Sequence, residues 1–139
     1  QYYSNGFMKQ KLPLYLCKVE AGFPSPADNY IEKKLDLQEY LIKNSEATFL
    51  VRATGESMLN SGILPGDILV VDRSLEVSNN SIIIVAIDGE LTVKKFIKNN
   101  YSKVAYLKSE NPNYPNIEIN NESDFNVWGV VTYCIHNLK

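Results

Sequence analysis

Asp88-Gly89 stands between two runs that are best satisfied as neighbouring strands. Before it, Ser81 to Ile87 is apolar and β-branched, the composition of a buried strand. After it, Glu90 to Ile97 continues the strand character. An Asp-Gly pair readily takes the left-handed conformations of a tight hairpin turn, so the two runs are expected to pair antiparallel. The rest of the chain agrees. Thr48 to Ala53, Asp67 to Asp72 (entered through the turn Pro65-Gly66), Val104 to Leu107, Ile117 to Ile119 and Val127 to Ile135 all read as strands. Asp36 to Ile42 reads as a short helix, with Asp36 as N-cap and Leu37, Leu41 and Ile42 at helical spacing. Pro13, Gly22, Pro24 and Pro26 exclude a helix across residues 1–26, which read as an extended N-terminal arm. The expected fold is mainly β, with the arm over 1–26 and a single β domain over 27–139.

With 139 residues, 45% of them hydrophobic and 22% charged, the chain is long enough for one cored domain. A net charge of −2 without a basic tract argues against direct nucleic-acid reading. Cys17 and Cys134 lie at opposite ends and His136 is the only histidine, so no zinc site is expected. Two reduced thiols are expected instead, and no cofactor. The longest apolar run, Ile82 to Ile87, is too short to span a bilayer, and no charged-then-apolar leader opens the chain. A cytoplasmic location is the expectation.

A Ser-His-Asp centre would have to be built on His136, the fourth residue counted back from Lys139. A serine served by a buried lysine needs no histidine. Gly55-Glu56-Ser57-Met58 follows a strand directly; Gly55 permits a sharp bend that exposes the serine hydroxyl, and backbone amides at such a bend can hold an oxyanion. Alone this is weak, because a serine after a glycine turn is commonplace. Lys94 and Lys95 add weight. In the strand Glu90 to Phe96, Thr92, Lys94 and Phe96 share one face, while Val93 and Lys95 share the other. A lysine turned inward loses solvation and its pKa falls, so its amine can act as a base. The Thr92 hydroxyl is placed to orient such an amine. Periodicity leaves open which lysine turns inward.

The stretch from Ala21 to Val131 resembles the self-cleaving Ser/Lys peptidases of the LexA/UmuD family. The resemblance is carried by residues 21–30 (Ala-Gly-Phe-Pro-Ser-Pro-Ala-Asp-Asn-Tyr), Gly55-Glu56-Ser57-Met58 and residues 62–67 (Gly-Ile-Leu-Pro-Gly-Asp). Residues 88–95 (Asp-Gly-Glu-Leu-Thr-Val-Lys-Lys) and Trp128-Gly129-Val130-Val131 complete it. It implies compact twisted antiparallel sheets of the LexA-type peptidase domain, a β-clip-like fold. It also implies Ser57 as nucleophile, Lys94 as base, Thr92 and Met58 as supporting residues, and Ala21-Gly22 as the bond cut. The small residues on either side of that bond suit a narrow site. The resemblance further implies stimulation by a RecA–single-stranded DNA filament, in the SOS response to DNA damage. The shortened chain would act as a homodimer with a UmuC-type error-prone polymerase, without sequence-specific DNA contacts and without a membrane. The alternative is the C-terminal peptidase domain of a LexA or phage-type repressor. That would need a helix-turn-helix ahead of the bond, where only about twenty residues stand. A signal peptidase with the same dyad would need a membrane anchor, and none is legible.

Overall fold

The structure, a computed structural model, describes residues 10–15, 31–99, 101, 104–119 and 124–139. It divides into two units, residues 1–43 and 44–139. In the first, β1 (Leu12–Tyr15) pairs antiparallel with β2 (Ile31–Leu35), Pro13 opposite Lys34. Part of the N-terminal stretch is therefore a strand. The proline is tolerated because each strand of a two-stranded sheet keeps one edge free of ladder bonds, so a missing N–H need cost nothing. Helix α1 (Leu37–Leu41) begins where the sequence predicts, with the Asp36 carboxylate accepting from the Glu39 amide at 3.2 Å.

The second unit is one seven-stranded sheet. Its strands are β3 (Thr48–Arg52), β4 (Ile68–Asp72), β5 (Ile82–Ile87), β6 (Glu90–Lys98), β7 (Ala105–Lys108), β8 (Ile117–Ile119) and β9 (Phe125–Ile135). The order across the sheet is β3-β4-β9-β5-β6-β7-β8, and every neighbouring pair is antiparallel. The fold is mainly β with antiparallel sheets and a short helix, as the sequence leads one to expect. Asp88 and Gly89 both have positive φ, 49° and 83°, and they close β5 onto β6 with Ile87 opposite Glu90.

The continuous apolar run of β5 has a direct cause. Ile84 packs into one core cluster with Met58, Ile63, Leu69 and Val71, while Ile83 and Val85 point the other way into a second with Leu107 and Val130. A strand covered on both faces has no position to spare for a polar side chain.

β9 runs through the middle of the sheet, between β4 and β5, and it carries both irregularities of the ladder. Against β4 the register steps past Thr132, and against β5 it steps past Trp128. An extra residue of this kind bends a strand and sharpens its twist. Between the two lies Gly129, where an added Cβ would stand 2.7 Å from Val71 Cγ1 and 3.1 Å from the Asp72 carbonyl oxygen. Glycine is required there by close approach, not by its φ. With both edges of β9 paired, its apolar character serves the interior. Only side chains on its exposed positions, such as Trp128, are left for any contact outside the sheet. Among the described residues no helix is long and apolar enough to cross a membrane.

Candidate active site

β3 ends at Arg52 and leads into a tight loop that carries Ser57. Ala53 anchors its start: the Ala53 amide donates to the Asp67 carbonyl at 2.7 Å, and the Ala53 carbonyl accepts from the Gly66 amide at 2.8 Å. Gly55 then turns with φ of +78°, which a side chain would resist. Met58, the residue after the serine, is 3% exposed and belongs to the core. Its carbonyl accepts from the Ser61 and Ile63 amides, closing the 3-10 turn Leu59–Ser61. The half-buried serine is thus held between a left-handed glycine and a core methionine. No described residue accepts a hydrogen bond from the Ser57 or Met58 amide.

Ser57 lines a cleft of about 260 Å³ together with Thr92 and Val93 of β6. Val51, Ala53, Met58, Ile63 and Ile84 give it apolar walls. Lys94 lies two residues further along β6, so its side chain leaves the strand on the same face as Thr92. That face is the one covered by the second core cluster, which includes Phe96, whereas Ala53, Met58, Ile63 and Ile84 of the cleft walls belong to the first, and Lys94 is not among the residues that line the cleft. Lys94 is only 7% exposed. Burial disfavours its ammonium form and moves its pKa below the usual 10.5. The adjacent Lys95 is paired with Glu110 at 2.8 Å, and Lys108 approaches the same carboxylate at 3.9 Å.

The hydroxyl that meets Lys94 is not the expected one. Among the described residues Thr92 makes no hydrogen bond to it; Lys94 Nζ donates instead to Ser109 Oγ at 2.9 Å. Ser109 was not singled out by its sequence, where it is the first residue of a polar loop after β7. The register gives it away. β6 and β7 pair Lys95 with Lys108 and Phe96 with Leu107, and one step further sets Lys94 opposite Ser109.

His136, the only histidine, sits elsewhere. Its Nδ1 is 2.7 Å from Asp67 Oδ1, and the Cys134 thiol donates to Asp67 Oδ2 at 3.0 Å. These groups include no serine, and burial followed by the neighbouring carboxylate pushes the Cys134 thiol up to about 12. This is a capped carboxylate and not an activated nucleophile. Ala21 and Gly22 lie outside the described residues.

Comparison with known proteins identifies the family of the chain. A family profile described as peptidase S24-like matches residues 13–132. Protein MucA of Salmonella typhimurium is 40% identical over 124 residues, covering 89% of this chain and 84% of that protein. Protein ImpA of Escherichia coli is 40% identical over 127 residues, covering 91% of this chain and 85% of that protein. The LexA repressor of Carboxydothermus hydrogenoformans is 37% identical over 112 residues, covering 81% of this chain but 54% of the repressor. The chain therefore belongs to the peptidase S24-like family, among its UmuD-like members, and is a self-cleaving serine peptidase.

Proposed function

We propose that the chain cuts its own Ala21–Gly22 bond, with Ser57 as nucleophile and Lys94 as general base. The observation that carries this reading is the burial of Lys94 on the strand whose Thr92 shares a cleft with Ser57. A buried amine is deprotonated more easily than an exposed one, and so can act as a base nearer neutrality.

The chemistry then runs in two stages. Neutral Lys94 takes the Ser57 proton as Oγ adds to the Ala21 carbonyl carbon, with the Ser57 and Met58 amides as donors to the oxyanion. Collapse breaks the C–N bond, and the Lys94 ammonium returns its proton to the departing amine of Gly22. An ester between Ser57 and Ala21 remains. Lys94 then deprotonates water, which hydrolyses the ester to a carboxylate at Ala21 and restores the serine. The apolar walls of the cleft suit a side chain as small as that of Ala21.

In this reading the cut is a switch. A RecA–single-stranded DNA filament stimulates it during the SOS response, and residues 22–139 then serve as a homodimeric accessory subunit of a UmuC-type translesion polymerase. MucA and ImpA are each 40% identical to this chain, and the LexA repressor is 37% identical over a shorter stretch.

Incubation with a RecA filament, followed by intact mass measurement, tests the whole reading. The expected products are residues 1–21 and 22–139. Fragments from any other bond would remove the site assignment, and cutting at alkaline pH without any response to the filament would remove the trigger.

A further inference from the structure

We propose that Ser109 is a positioning residue for the Lys94 base, and that the segment 109–111 holds base and nucleophile to a common frame. The proposal rests on the Ser57–Lys94 reading above.

Ser109 is 5% exposed, and its one hydroxyl has two partners. Oγ lies 3.1 Å from the Pro115 carbonyl oxygen and 2.9 Å from Lys94 Nζ. A carbonyl oxygen can only accept, so the hydroxyl proton points at Pro115 and the oxygen's lone pairs are left for Lys94. The Ser109 amide donates to Asn116 Oδ1 at 3.2 Å, which fixes the backbone beneath. Lys94 must therefore commit one N–H to Ser109. A neutral amine has a single lone pair, and committing one N–H restricts the directions that lone pair can take. An unrestrained lysine, with four rotatable side-chain bonds, would present it at random.

The next two residues act on the other partner of the reaction. The Glu110 carbonyl accepts from the Asn60 amide at 2.7 Å, just beyond Ser57. The Asn111 side-chain amide donates to the Glu56 carbonyl at 2.8 Å, just before it. Three consecutive residues thus grip the base once and the serine loop on both sides. Small errors in such placement are costly, because a misalignment of about 1 Å can slow a reaction about a hundredfold.

Among the described residues, Lys95 and Lys108 on the flanking strand positions both pair with Glu110, the residue after Ser109, while Lys94 stands opposite Ile83 of β5. The Ser109 oxygen accepts more strongly from an ammonium than from an amine. Its removal therefore lowers the pH at which Lys94 loses its proton while leaving the free base misaligned.

The test is self-cleavage of the full chain as a function of pH, read by intact mass, for wild type, Ser109→Ala and Ser109→Thr, with Ser57→Ala and Lys94→Ala alongside. Ser109→Ala should lower the alkaline plateau rate about tenfold to a hundredfold and shift the midpoint of the rise to lower pH. Ser109→Thr, which keeps the hydroxyl, should restore both. A wild-type plateau and midpoint in Ser109→Ala would overturn the proposal. So would a slow variant with an unmoved midpoint that Ser109→Thr does not rescue, which is the mark of a purely structural residue. Persistent cutting by Lys94→Ala would instead overturn the dyad reading on which the proposal rests.

Discussion

Lys94 and Lys95 are chain neighbours sent to opposite environments. Lys94 is buried with its Nζ on the Ser109 hydroxyl, and Lys95 reaches Glu110 at 2.8 Å from a partly exposed position. Strand alternation enforces the separation, and the different partners give the two amines different chemistry. Lys94→Ala should lower self-cleavage by about 10²–10⁴-fold, the usual contribution of a general base. Lys95→Ala loses an ion pair of about 0–1 kcal/mol and should still cut. Cleavage time courses of the two variants, read by mass, check this; loss of cutting in Lys95→Ala alone would reverse the assignment.

The pH dependence follows from the same burial. In the proposed mechanism the neutral amine of Lys94 accepts the Ser57 proton, so the rate should climb with pH and level off above the folded-state pKa. Desolvation lowers that pKa, so the midpoint should fall below 10.5. Stability is linked to the same shift. The folded state binds this proton less tightly than the unfolded chain, so the contribution of Lys94 is full above 10.5 and is lost as pH falls through the folded pKa. Lys94→Met should therefore be relatively more stable towards neutral pH than at the alkaline end, a trend that urea midpoints across the range would reveal. A rate midpoint at or above 10.5 would contradict the burial argument.

What the sequence made legible was what local chemistry dictates. The two positive φ values at Asp88-Gly89, the capped start at Leu37 and the doubly buried run of β5 each follow from a few adjacent residues. What escaped depends on pairing between distant segments. β1 contains Pro13, and its partner β2 has charged residues where an apolar stripe would betray a strand, so neither announces itself. The choice between Lys94 and Lys95 was open because both lie in one strand and only the cover over each face separates them. Ser109 was invisible for a further reason: a serine in a polar loop carries no pattern, and only the β6–β7 register sets it against Lys94. Gly129 shows the same limit, since its need is created by Val71 on another strand.

Asp67 should govern acid stability. Its carboxylate accepts from the Cys134 thiol, the Leu64 amide and His136, and these hold its pKa at about 2 against burial, below the usual 3.8. Because the folded value is depressed, the stabilisation is complete above 3.8 and disappears as pH falls towards about 2. Asp67→Asn should be less stable than wild type near neutrality and should lose less on acidification through that window. Urea midpoints measured from pH 7 down to about 2 would check it. An acid limb as steep in the variant as in wild type would assign the effect to other groups.

Gly129→Ala should destabilise by about 1–3 kcal/mol, the usual cost of overpacking. The added methyl would meet Val71 Cγ1 at 2.7 Å, so Val71→Ala in the same chain should recover part of the loss. Denaturant midpoints of the two single variants and the double variant measure the coupling. Additive losses would mean that the backbone, rather than Val71, resists the methyl.

Gly22→Arg should block self-cleavage while leaving the β sheet as stable as before. Attack on the Ala21 carbonyl requires the backbone on both sides of the bond to come within contact distance of Ser57, and the cleft that holds Ser57 has a volume of about 260 Å³. A glycine after the bond presents no side chain to that space, whereas arginine adds a long side chain and a second cation to a cleft that Arg52 already lines. Among the described residues the two core clusters draw on residues 49–131, and the substitution changes none of these. Melting temperature and cleavage rate should therefore separate, the first unchanged and the second lost. A variant that melts several degrees lower would mean that residue 22 contributes to the packed structure. One that cuts at the wild-type rate would mean that the bond after Ala21 is not the one broken.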